Sequence, residues 1–207
     1  MTDYVTCAES VLPLRVVPQP SPDVCAGGDC GACVLAGLTG LEVPEVYRRL
    51  HDGKVQTFDQ GAMGRALHEP DFFDRCVEAP IGWPVNHVWA AWGMQPHHQN
   101  IEWFRYVRMG LDAGYYGVAC VDFRKAGPLG MGTDHWVLLC GYRERRPSPG
   151  SGGGRVFTEL LVSCSARSSP AEEWVDSHDF LRERGGFNLC LVRPRFNAGT
   201  LCGYSSP

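Results

Sequence analysis

The sequence predicts an α+β fold, with an N-terminal helical part and a C-terminal antiparallel β-sheet. Two observations carry that expectation. Early in the chain, apolar side chains recur at helical spacing, as at Cys33, Val34, Leu38 and Leu41. After Tyr115 the period changes, and apolar runs of strand length succeed one another across turn-rich segments. No internal repeat or linker interrupts the pattern, so the 207 residues read as one domain over 24–196. It is preceded by an irregular segment at 1–23 and followed by a tail at 197–207.

The first segment is expected to be irregular because Pro13, Pro18, Pro20 and Pro22 crowd it. A helix then starts at Cys30, and Gly37 and Gly40 are the glycines that weaken it and can end it. A second covers Val43 to Leu50, with Pro44 in its first turn. Asp59 caps a third carrying Ala62, Met63, Ala66 and Leu67. A fourth runs through Val85, Val88, Trp89 and Trp92, and a fifth from Ile101 to Asp112 with Trp103, Phe104, Val107 and Leu111 at helical spacing. Strands are expected from Tyr115 to Phe123, Trp136 to Tyr142 and Val156 to Ser163. A short helix from Trp174 to Arg184 and a closing strand from Phe187 to Val192 complete the order. The segment from Pro147 to Gly154 is a flexible connection.

A net charge of −4 with 20% charged residues carries no nucleic-acid footprint. No apolar run reaches the roughly 18–20 residues that cross a bilayer, and the N-terminus lacks the regions of a signal peptide. A soluble, cytoplasmic protein is expected, with no membrane or nucleic-acid partner. Its ten cysteines are then thiols rather than disulfides. Cys120, Cys140 and Cys190 sit inside apolar runs and read as buried hydrophobes.

The segment from Cys25 to Cys33 fits two chemistries. Cys25, Cys30 and Cys33 have the C-x4-C-x2-C spacing of a [2Fe–2S] loop, and the small residues Gly27, Gly28, Gly31 and Ala32 would let it fold tightly. It resembles the cluster loop of plant-type ferredoxins, which implies electron transfer. Against this, few residues precede Cys25, and the next cysteine, Cys76, is distant. No finger-like zinc spacing is present either, so no metal or cofactor is expected. The other chemistry is nucleophilic. Asp29-Cys30-Gly31 opens an apolar helix, whose N-terminal N–H groups and dipole lower a thiol pKa. Gly31 would allow a substrate close approach. The base a thiol nucleophile needs is best supplied by His135, which heads the apolar run to Tyr142. The other histidines fit this role less well: His97 and His98 read as a polar loop, His51, His68 and His178 as solvent faces, and His87 as packing.

With those residues in place, the chain resembles the papain-like cysteine peptidases, and within them the bacteriocin-processing, double-glycine type. The resemblance covers roughly residues 24–194 and rests on order and spacing. An Asp-Cys-Gly helix start precedes a two-helix segment, a helix and a strand. A histidine then heads a strand ending in Gly-Tyr, and a third strand, a short helix and a last strand complete the series. The resemblance implies a papain-like fold with the nucleophile helix packed on the sheet, and proteolysis of a peptide or protein substrate. It makes Cys30 and His135 catalytic and places Asp29 and Gly31 at the substrate. Two positions depart from the family pattern. Val24 stands where the family has an oxyanion-binding glutamine, with Gln19 nearby. Cys164, between Ser163 and Ser165, stands at the third position, where the family has an Asn or Asp that orients the histidine. Asp134 and Asp176 are the carboxylates that could substitute through space. Three functions therefore stay open: a thiol-dependent peptidase or amidase, a catalytically silent peptide-binding module of the same fold, and an iron–sulfur protein.

Overall fold

The computed structural model describes residues 3–13, 17, 29–51, 63, 96–122, 134–150, 154–164, 171–184 and 187–192. In chain order the elements are β1 (Tyr4–Val11), α1 (Cys30–Thr39), α2 (Val43–His51), α3 (Pro96–Asp112), β2 (Tyr116–Asp122) and β3 (Asp134–Pro147). Then come β4 (Phe157–Cys164), β5 (Ala171–Asp176), α4 (Ser177–Arg184) and β6 (Phe187–Val192). The strands form one sheet in the order β5-β4-β3-β2-β6, with β1 added on β3, and every pair is antiparallel. This is the α+β class that the change of period predicts.

β3 organises the sheet. Its first half, Asp134 to Leu139, pairs with β2, and its second half, Gly141 to Pro147, pairs with β1. β4 covers the middle and second half from the other side, so β1 and β2 lie end to end along one edge of β3. Alternation along β3 then builds two cores. Trp136, Leu138 and Cys140 face α1 and α2, with Val34, Leu38, Val46 and Tyr47 opposite. Val137 and Leu139 face the other way, toward Val107 and Leu111 of α3 and Phe180 of α4. The sheet is the middle of three layers.

The helices reflect their composition. α1 is apolar nearly all round, and nine of its residues are buried, as expected of a helix inside a core. Gly40 ends it with φ 71, returning its N–H to Ala36 O at 2.9 Å. α2 is amphipathic, with Val43, Val46 and Tyr47 buried and Arg48 and Arg49 exposed. α3 is tied to β3 by Tyr142, whose hydroxyl donates to Asp112 at 2.8 Å, and by the Arg108–Glu144 pair.

Several expectations change. Residues 4–11 are a strand, not part of an irregular segment. Most side chains of β1 are exposed, so it carries no apolar period, and its partner on β3 specifies it. Trp174 to Asp176 belong to β5 rather than to a helix. The helix starts at Ser177 because the Asp176 carboxylate accepts the backbone N–H groups of His178 (2.9 Å) and Asp179 (3.2 Å). α3 begins at Pro96, so His97 and His98 are helical; proline suits a first turn because its missing N–H is not needed there. β3 runs five residues past Tyr142 because β1 and β4 continue the pairing. The helices expected near Asp59–Leu67 and Val85–Trp92 lie outside the described residues, except for Met63, which is buried in the α1 core.

At Gly141 the backbone of β1 lies close against β3. A Cβ added there would lie 2.8 Å from the Ser10 carbonyl oxygen, a backbone atom that moves only if β1 moves. Gly141→Ala is expected to destabilise the protein by about 1–3 kcal/mol, read as a lower denaturant midpoint. A change under about 0.5 kcal/mol, the range of an ordinary surface substitution, would mean that β1 yields freely.

Candidate functional site

The site is built from the start of α1 and the start of β3. Asp29 precedes the helix, and its carbonyl accepts the Cys33 N–H at 2.9 Å, closing the first turn. Its side chain does not cap the helix. It is wholly buried and accepts the Tyr47 hydroxyl at 2.5 Å. Asp29 therefore ties α1 to α2 and faces the interior, whereas the family resemblance places it at a substrate. Tyr47 could not be singled out from sequence, because its spacing marks it only as one apolar residue of α2.

Cys30 is the first residue of α1 and is 5% exposed. Burial pushes its thiol up, and the Asp29 charge adds to this. Hydrogen bonds from the backbone of Trp136, of Gly31 and of Cys30 itself work in the opposite direction and offset part of the rise. The expected lowering by the helix N-terminus is thus outweighed by loss of water, and the net direction is upward. Gly31 is buried beside it. Cys33, one turn on, is also buried, and neither cysteine is part of a disulfide. The two thiols of the supposed iron–sulfur loop that can be described thus lie on a helix inside a core; Cys25, Gln19 and Val24 lie outside the described residues. Among the described residues no group of three or more His, Cys, Asp or Glu side chains could hold a metal ion.

The backbone contact from Trp136 matters because Trp136 is the next residue after His135 in β3. The packing of α1 on β3 brings the Cys30 sulfur to the residue next to His135. His135 itself is 8% exposed, and its Nε2 lies 3.3 Å from the Cys164 sulfur. The register explains this pairing. Leu138 stands opposite Ser163, so the next step sets Val137 opposite Cys164, with His135 diagonal to Cys164 on the same face. The family pattern assigns Cys164 to the third position, and the sheet places it against the imidazole. Asp176 is occupied at the start of α4. Of Asp134, only the backbone is described.

Cys30 belongs to the core on the α1 side and Cys164 to the core on the α3 side. β3 runs between them, with His135 at its second residue. The arrangement can move a proton between an imidazole and a thiol, and it places a second thiol at a helix start close to the same strand end.

No protein-family model matches the chain, and neither a curated protein nor a solved structure matches it. Among the described residues, no helix is long and apolar enough to cross a membrane.

Proposed function

We propose that the chain is a papain-like thiol hydrolase that cleaves a peptide or isopeptide bond through Cys30 and His135. The observation that supports this reading is the meeting of the α1 N-terminus with the start of β3. The Cys30 sulfur takes a backbone hydrogen bond from Trp136, the neighbour of His135. Because burial keeps Cys30 protonated, the chemistry needs a base in the step of attack rather than a thiolate formed beforehand. His135 removes the Sγ proton, and the sulfur attacks the substrate carbonyl carbon. The Cys30 N–H donates to the developing oxyanion. His135 then returns the proton to the leaving amine, and water hydrolyses the thioester. With a proton on Nε2 facing the Cys164 sulfur, the other ring nitrogen is left as the base.

The test is turnover of a random fluorogenic peptide library. Cleavage by the wild-type protein is expected to vanish in Cys30→Ala and to fall about 10²–10⁴-fold in His135→Ala. Cleavage that survives Cys30→Ala would overturn the assignment.

A second reading has its own support. A buried nucleophile with a raised pKa, and a thiol where a carboxamide or carboxylate would orient the ring, suit a silent module that binds a peptide without cutting it. Saturable binding of library peptides without cleavage by the wild-type protein would favour it.

A further inference from the structure

We propose that Cys164 is a modification site for small peroxides, with His135 as the proton carrier that activates it. This role concerns a different sulfur and a different electrophile from the hydrolase reading, and it uses the other tautomer of His135, in which Nε2 accepts rather than donates. It starts from a contrast between two buried thiols of adjacent strands. Cys140, in the middle of β3, is wholly enclosed, and its sulfur donates weakly to the Leu161 carbonyl at 3.5 Å. A carbonyl cannot take its proton. Cys164 is the last residue of β4, 9% exposed, and its sulfur lies 3.3 Å from an imidazole nitrogen, which can. A thiol reacts as its thiolate, so a proton acceptor within reach is what separates a reactive cysteine from an inert one. Cys164 keeps a residual exposure of 9%, whereas Cys140 has none.

The step balances without a further reagent. The Cys164 thiol passes its proton to His135 Nε2, and the thiolate attacks one oxygen of the hydroperoxide. The O–O bond breaks, and the sulfur is oxidised to a sulfenic acid. The departing hydroxide or alkoxide takes the proton back from the imidazolium and leaves as water or alcohol. His135 thus ends as it began, and the two electrons lost by sulfur reduce the peroxide.

The experiment treats the full chain with hydrogen peroxide in the presence of dimedone and maps the trapped sulfenic acids by peptide mass spectrometry. It is run on the wild-type protein, on Cys30→Ala and on His135→Gln. Cys164 is expected to be trapped at least about tenfold faster than Cys140 in both the wild-type and Cys30→Ala proteins, and to slow by about tenfold or more in His135→Gln. Equal rates at Cys164 and Cys140, or a Cys164 rate unchanged by His135→Gln, overturn the proposal. If His135→Gln fails to fold, Cys140 becomes equally reactive in that variant, and the ratio of Cys164 to Cys140 in the wild-type protein decides. Loss of peptide cleavage in Cys30→Ala with Cys164 trapping intact separates the two proposals.

Discussion

Trp136→Ala is expected to remove about 3–5 kcal/mol of stability, the usual cost of truncating a buried tryptophan. Trp136 is 1% exposed and, among the described residues, is the largest of the fully buried side chains. It fills the space between β3 and α1 in the core that also holds Cys30 and Cys33. Removing the indole leaves a cavity beneath the first turn of α1, which the small residues Gly31 and Ala32 cannot fill. The consequence reaches the site, because the Trp136 backbone is also what meets the Cys30 sulfur. Denaturant titration is expected to give a lower midpoint, and alkylation of Cys30 should quicken as its cover loosens. Trp136→Phe, which keeps most of the volume, is expected to cost less than the alanine variant. A loss below about 1 kcal/mol for Trp136→Ala would mean that α1 is not held by this face.

Stability is also expected to fall steeply above pH 9. Burial, with a smaller contribution from Glu172, pushes the Cys140 thiol from an ordinary 9.0 up to about 12. An acid whose pKa is raised by folding stays protonated in the native state while its unfolded counterpart ionises. The unfolded state then binds fewer protons, so stability is complete below pH 9 and is lost as the pH climbs toward 12. The slope from this one group is about 1.4 kcal/mol per pH unit, or roughly 4 kcal/mol over the whole window. Cys30 and Tyr142, both raised by burial, act in the same direction. Urea titrations in the presence of a reductant at pH 8.5, 9.5 and 10.5 check this. In Cys140→Ala the neutral-pH stability changes as well, so the readout is a shallower slope with pH. An unchanged slope in that variant would place the lability elsewhere.

The parts of this fold that were legible in the sequence are those whose side chains leave water. α1 is apolar along its length and bracketed by Asp29 and Gly40, so its limits could be read directly. β2, β4 and β6 lie close to their expected limits, because their apolar runs enter a core from both faces. β1 and β5 were not legible. Glu172 and Glu173 of β5 are exposed and favour helix on their own, and it is pairing with β4 that makes them a strand. At the site, Cys30 and His135 stand out by chemical type, and each heads an apolar run. Spacing carries no measure of how deeply a residue is enclosed, and this hid the burial that lifts the Cys30 thiol. It also hid the inward turn of Asp29, since a carboxylate before a helix is more often a cap than a partner for a tyrosine in the next helix.

From Leu138 to Arg145, β3 is flanked on one edge by β4 and on the other by β2 and β1. The amides of that stretch can open to solvent only after strands on both edges have let go, so fluctuations should begin at the outer margins and stop short of the centre. His135, the second residue of β3, lies outside that central stretch and is paired with Val121 of β2. The Cys30 and Cys164 thiols lie in the cores on either side of β3, one at a helix end and one at a strand end.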